Sequence, residues 1–291
     1  MKRWNSLWGA ALFVVFVNSS ALPQEEKLDQ ETGVVISLYN KGVMQYTARQ
    51  YKEAVDVFRQ VLSLKPDLAE AHRNLGEAYN DLGLYSEAIT SFKEAIRLKP
   101  TLGEAYRGLG FAYYHLGQYW KAVDACKRAV QLRRDYALAF NDMGAAYNRL
   151  GLFNEAIDSF KQALGFRPNY AEAYNNLGIS YKSLKQHTKA AEFFKQAIKL
   201  MPQLKEAHHN LGVAYFNLRR YDEAEKHLGA AISLNLNDAV VRLHLGRTYV
   251  ALGNRSGAFE QYKMLQLLDA DLARKLYEGM YKGLLVVVPK K

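Results

Sequence analysis

Ala71-His72-Arg73-Asn74-Leu75-Gly76-Glu77-Ala78-Tyr79 is the stretch that decides the fold, because the chain repeats it. Ala173-Tyr174-Asn175-Asn176-Leu177-Gly178-Ile179-Ser180-Tyr181 is a near copy, three periods later. Gly42, Gly76, Gly110, Gly144, Gly178, Gly212 and Gly246 stand 34 residues apart, and twelve residues after each comes Ala54, Ala88, Ala122, Ala156, Ala190, Ala224 or Ala258. With glycine near 7% of ordinary sequence, seven in register has a chance probability on the order of 10⁻⁸.

Each unit reads as a pair of helices. Between Ala69 and Leu82 the apolar positions Ala71, Leu75, Ala78, Tyr79 and Leu82 follow the three-and-four spacing of one helical face. Gly83-Leu84 makes a turn, Ser86 to Leu98 forms the second helix, and Pro100 stops it. Gly76 and Ala88 are small where the two helices cross, so the backbones can approach to about 8–10 Å.

The order aromatic, Leu-Gly, Tyr, Ala, aromatic, Ala, Pro resembles the tetratricopeptide repeat. The resemblance implies an all-α, right-handed superhelical solenoid of about seven helix-turn-helix repeats with a C-terminal capping helix. The repeats cover residues 35–272, as 35–68, 69–102, 103–136, 137–170, 171–204, 205–238 and 239–272. The closing proline stands at Pro66, Pro100, Pro168 and Pro202, but Arg134, Leu236 and Ala270 replace it elsewhere. Gln45 replaces the usual tyrosine in the first repeat and Arg255 an aromatic residue in the seventh, and end repeats are commonly atypical.

Residues 273–291 follow as capping helix and tail. Leu272, Leu276 and Met280 lie four apart and can cover the last repeat, while the run Leu284 to Val288 has no assigned contact. At the other end, Met1-Lys2-Arg3, the uncharged apolar run Leu7 to Val17 and Ser19-Ser20-Ala21 read as a signal peptide over 1–21. That apolar run is shorter than the about 20 residues a span needs, so no integral membrane span is expected after cleavage. Residues 22–34, with Glu25, Glu26, Lys27 and Asp29, read as a solvated leader. Cys126 is the one cysteine, which forbids an internal disulfide but tolerates an oxidising compartment. The expectation is export to a periplasm or the cell exterior, with a eukaryotic lumen as the alternative.

In this family the first helix of each repeat lines the concave face, which gives the candidate groove. Two residues before each repeat glycine stand Asn40, Asn74, Gly108, Asp142, Asn176, Asn210 and His244. A side-chain amide offers two donors and an acceptor, so it can hold a peptide backbone whatever the peptide's sequence. Helices about 9–10 Å apart place one asparagine per roughly three residues of a strand rising about 3.3 Å per residue. The row resembles the asparagine ladder in the repeat superhelix of O-linked N-acetylglucosamine transferase. The competing reading is that these amides only bond neighbouring repeats.

Flanking rows carry Glu70, Glu104, Glu172 and Glu206, and Arg73, Arg107, Asn141, Asn175 and His209. Glu70 with Arg73 and Glu104 with Arg107 have the i,i+3 spacing of weak helix-surface pairs. The carboxylate clamp of chaperone-binding relatives is not matched, because Arg73 is followed by Glu77 and Arg107 by Phe111.

The net charge of +10 raises nucleic acid as a partner. Against it, the basic row Arg59, Lys93, Lys127, Lys161, Lys195 and Lys263 mostly has an acid three residues earlier: Asp56, Asp124, Asp158, Glu192 and Glu260. The seven histidines show no HxxxH or HExxH spacing, and His72 and His208 fill a slot held elsewhere by Tyr106, Phe140 and Tyr174. Cys126 fills the slot of Phe92, Phe160 and Phe194, so it reads as a buried hydrophobe and not a nucleophile. No phosphate loop, dinucleotide fingerprint or nucleophile elbow occurs, and too little chain follows residue 272 for a catalytic domain.

The sequence therefore predicts a non-enzymatic scaffold, monomeric by itself, with no metal, no cofactor and a protein or peptide as partner. The groove row is Asn40, Asn74, Asp142, Asn176 and Asn210, flanked by Glu70, Arg73, Glu104, Arg107, Asn141 and Asn175. The alternative is an assembly factor of an envelope or secretory complex, acting through the convex face or the tail. A glycan-binding role for Tyr113, Tyr114, Tyr147 and Tyr181 is disfavoured, since several of these sit in the repeat's own tyrosine slot.

Overall fold

A computed structural model describes residues 24–281, with side chains from residue 32 onward. Among the described residues there are fifteen helices and no strand. They form seven antiparallel pairs, α1 (Gln24–Thr47) with α2 (Tyr51–Leu64), α3 (Ala69–Asp81) with α4 (Tyr85–Leu98), and α5 (Gly103–His115) with α6 (Tyr119–Leu132). Next come α7 (Ala137–Arg149) with α8 (Phe153–Phe166), α9 (Ala171–Ser183) with α10 (His187–Leu200), and α11 (Lys205–Asn217) with α12 (Tyr221–Leu234). The last pair is α13 (Ala239–Ala251) with α14 (Arg255–Leu268), and α15 (Ala270–Tyr281) closes the stack. The expected signal peptide and the apolar run 284–288 lie outside the described residues. Helix α1 reaches back to Gln24, so most of the segment read as a leader continues the first helix. No helix of the described residues is long and apolar enough to cross a membrane.

The period-34 glycines are packing sites. A Cβ on Gly144 would lie 2.7 Å from the Phe160 ring, and one on Gly42 would lie 2.7 Å from Phe58. Phe58, Phe92, Phe160 and Phe194 are fully buried between the paired helices, each contributing about 2–3 kcal/mol of apolar transfer. Cys126 takes the same slot in the third repeat, its sulfur 2.7 Å from where a Cβ on Gly110 would stand. Burial pushes its thiol pKa up, which keeps it protonated and poorly nucleophilic.

A second period-34 row sets the turn inside each repeat. Position 83 and its equivalents all take the left-handed backbone, with Gly83, Gly117, Gly151 and Gly253 at φ of 74° to 77°. Arg49, Lys185 and Arg219 adopt it without a glycine, at φ of 58° to 61°. The geometry is a Schellman closure, in which Leu84 N donates to the Tyr79 carbonyl (2.9 Å) and Gly83 N to that of Asn80 (3.0 Å).

At the C-terminal end Leu276 of α15 is fully buried with Leu243, Leu265 and Ala273, and Leu272 and Met280 pack against them, as the cap requires. Leu276 stands 2.5 Å from where a Cβ on Gly246 would be, and so takes the place that Phe58, Phe92, Phe160 and Phe194 hold in four of the other repeats.

Successive first helices touch one another along the whole array, whereas no two second helices do. Stacked units that pack tightly on one side and splay on the other must curve toward the tight side. The first helices therefore line the concave face and the second helices the convex one.

Candidate binding groove

The superhelix places each first helix so that a residue meets the one 35 positions later, on the next first helix. Six such contacts are hydrogen bonds, the first from Tyr46 Oη to Asp81 Oδ2 (2.6 Å). Asn74 Nδ2 donates to Tyr39 Oη (2.9 Å), Arg107 to Asp142 Oδ2 (3.3 Å), and Asn176 Nδ2 to Asn141 Oδ1 (3.1 Å). Asn210 Nδ2 donates to Asn175 Oδ1 (3.1 Å), and His209 Nε2 lies 2.9 Å from His244 Nδ1. The missing rung is Arg73 to Gly108. A side chain at 108 has no room, because a Cβ there would overlap the Phe92 ring of the preceding repeat.

A second set of bonds runs to the residue 28 positions on. Asn80 Nδ2 donates to the Gly108 carbonyl (3.1 Å), Asn148 Nδ2 to that of Asn176 (3.5 Å), and Lys182 Nζ to Asn210 Oδ1 (2.7 Å). Asn74, Asn176 and Asn210 thus each bond the neighbouring repeat through the flanking row and not one another, which is the bonding the competing reading describes. Each amide nitrogen of Asn74, Asn176 and Asn210 gives one of its two hydrogens to its neighbour, so one per rung remains for a ligand. Asn40, in the first repeat, is exposed. Tyr39, Asn80, Asn148 and Lys182 belong to this network without being singled out by the sequence, and Glu77, which reads there only as a mismatch to the carboxylate clamp, belongs to it as well. A 28-residue offset applied beside the 34-residue one would have found Asn80, Asn148 and Lys182.

The charge pairs differ from the i,i+3 expectation. Glu70 accepts from Lys99 (2.7 Å) and Glu104 faces Arg133 (3.9 Å), each within one repeat, from the start of the first helix to the residue that ends the second. Arg107 turns away from Glu104 and into the groove, between Glu77 and Asp142 at 3.3 Å each, with its Nε on Tyr136 Oη (3.0 Å). The Arg107 site is more buried than an i,i+3 surface pair, so Coulomb attraction is stronger there, whereas the Glu70 and Glu104 pairs are as exposed as such a pair. Burial opposes the Arg107 charge, but the two carboxylates outweigh it and hold its pKa above the ordinary value. For Glu77 and Asp142 burial wins over the arginine, and both carboxyl pKa values are raised. On the convex face, of the anticipated pairs only Glu260 with Lys263 forms (3.1 Å), and Arg59 instead donates to Tyr79 Oη (3.0 Å). The basic row is thus less neutralised in place than its spacing suggests.

Among the described residues no group of three or more His, Cys, Asp or Glu is arranged to hold a metal.

TPR repeat profiles match residues 46–83 and 76–117, and Tetratricopeptide repeat profiles match 103–136, 135–203 and 183–239, without a gap from 46 to 239. No curated protein matches the chain in sequence. Among solved structures, MamA is 30% identical, with a TM-score of 0.50 over 56% of this chain and 95% of that one. The chain matched in the Cut9–Hcn1 hetero-tetramer of APC/C is 20% identical, with a TM-score of 0.71 over 84% of this chain, which spans 47% of its length. YrrB, described as a tetratricopeptide repeat protein with an unusual peptide-binding site, is 23% identical, with a TM-score of 0.53 over 64% of this chain and 97% of that one. The period of 34, the helix pairs with glycine and phenylalanine at their crossings, and the profile matches agree: the chain belongs to the tetratricopeptide repeat family.

Proposed function

We propose that this chain is a non-catalytic scaffold that holds an extended peptide or a partner's helix in the concave groove. Proteins of the family bind protein or peptide partners, and YrrB, of the same fold, is described as having a peptide-binding site. The observation that carries the groove reading is the row of half-buried Asn74, Asn176 and Asn210, each with an amide hydrogen left after bonding the neighbouring repeat. An exported location is part of the proposal and rests on the character of residues 1–21.

The test is affinity capture from the exported fraction of the source cells, with residues 22–291 as bait beside the variant Asn74→Ala/Asn176→Ala/Asn210→Ala. The triple variant should lose its partner while keeping its helicity, measured by circular dichroism well below its melting temperature. That margin is needed because each lost inter-repeat bond costs about 1 kcal/mol. A partner held equally by both forms would move the site to the convex face, where Trp120 of α6 is 58% exposed, or to residues 284–291. That result would favour an assembly factor of an envelope or secretory complex.

A further inference from the structure

We propose that Lys182, Asn210 and the His209–His244 pair form a subsite in the groove of the fifth to seventh repeats that receives one carboxylate of the bound partner. The inference rests on the groove reading above and specifies what one part of the groove selects.

The first ground is an unmatched cation. Lys182 lies half-buried on α9, and its hydrogen bond goes to a neutral group, Asn210 Oδ1 at 2.7 Å, with no carboxylate of the described residues in ion-pair range. Burial pushes its ammonium pKa down. Elsewhere in the groove the chain supplies counter-ions of its own, Glu77 and Asp142 for Arg107. A desolvated cation left with a neutral partner regains Coulomb energy only when an anion arrives.

The second ground is the imidazole pair beside it. A hydrogen bond between His209 Nε2 and His244 Nδ1 (2.9 Å) uses one N–H and one lone pair, so a first proton on the pair strongly opposes a second. The groups facing it are mostly positive: Lys182 from α9 acts on both rings, Lys205 on His209 and Arg247 on His244. Asp238 and Glu206 oppose them at His209, but Asp238 is engaged by Lys205 at 2.9 Å and Glu206 faces the same lysine at 3.8 Å. Burial, followed by these cations, pushes both histidine pKa values down, that of His244 to about 4.

A carboxylate seated against Lys182 reverses the sign of the local potential and lets the pair hold a proton. Binding and protonation are then linked, so the carboxylate binds more tightly as pH falls below neutrality. The residues differ from those of the chaperone-tail clamp, whose set of positions this chain lacks.

The experiment uses the full chain with isotopically labelled histidine, following the His209 and His244 imidazole signals by NMR. Three probes are titrated in the millimolar range: N-acetylglutamate α-amide for a side-chain carboxylate, N-acetylalanine for a chain end, and N-acetylalanine amide, which is uncharged. At least one carboxylate should shift both histidines saturably, bind more tightly at pH 6 than at pH 8, and bind roughly tenfold more weakly to Lys182→Gln, between the loss expected for exposed and buried pairs. Lys182→Arg should restore it. The tighter carboxylate identifies which source the subsite takes. No saturable shift with either carboxylate, or equal binding to Lys182→Gln with helicity intact, overturns the subsite. If the triple asparagine variant then still loses its captured partner, the groove reading stands without this subsite. If it keeps the partner, the groove reading has failed too.

Discussion

The groove has two halves built on the same backbone and opposite electrostatics. In the second to fourth repeats Arg107 sits between Glu77 and Asp142, so the ligand-facing surface has already matched its charge. In the fifth to seventh, Lys182 bonds only an amide oxygen and faces two imidazoles. The difference comes from single residues at equivalent positions: Asp142 where Asn176 and Asn210 stand later, and Glu77 where Ile179 and Val213 do. One half uses its buried charge to join repeats, and the other leaves it for something outside the chain. In a solenoid, whose repeats contact only their neighbours, such specialisation costs little because each interface is independent.

The largest effect should come from removing the two cations in turn. Arg107→Met leaves Glu77 and Asp142 without their counter-ion and should destabilise the array by about 2–3 kcal/mol in urea unfolding. Lys182→Met removes an uncompensated charge and should be near neutral or stabilising by up to about 1 kcal/mol. Equal losses in the two variants would break the distinction between the halves.

A smaller effect is expected from pH, with opposite signs in the two halves. His244, and His227, which is paired with His208 at 3.2 Å, both have pKa values lowered to about 4, burial being the first cause. Their neutral forms stabilise the fold above the unfolded-state value of about 6.5, and that contribution is lost as pH falls from there toward 4. After allowing for solvent exposure the loss is about 1–2 kcal/mol, felt in α11 to α13. Glu77 and Asp142 have raised pKa values, so their contribution is present at acid pH and is lost as pH rises through those values. Amide hydrogen exchange at pH 6.5 and pH 4.5, corrected for intrinsic rate, should show protection falling in α11 and α13 but not in α3 and α5. Parallel loss in all four helices would contradict the charge map.

The smallest effect sharpens the comparison to a single turn. Lys185 in the fifth repeat holds the left-handed backbone at φ 59° where Gly151 in the fourth holds it at 77°. Lys185→Gly should stabilise the chain by about 0.5–1 kcal/mol, and Gly151→Ala should cost a similar amount. Thermal denaturation of both variants measures it.

The asparagine row was legible as a period-34 pattern, and Asn74, Asn176 and Asn210 stand at equivalent positions of the first helices α3, α9 and α11. Their bonds to Tyr39, Asn141 and Asn175 were not legible, since a period says which residues are equivalent and not which ones touch. Glu77 reads in the sequence only as a mismatch to the carboxylate clamp, because an acid at that position occurs in one repeat and no period marks it. The gap at Gly108 looked like an interruption of the ladder, and its reason is the Phe92 ring of the previous repeat.

By itself the sequence determined the helix pairs, the small residues Gly76 and Ala88 at their crossing, the burial of Cys126 and the cap at Leu276. All of these follow from contacts within one repeat or between adjacent segments, and a 34-residue period repeats those contacts visibly. Only the tertiary structure decided that Arg107 bonds Asp142, 35 residues away, and not Glu104, three residues away. It alone left Lys182 facing an amide. Those outcomes depend on how far one first helix is rotated against the next, a rigid-body quantity that all the contacts of that interface set together.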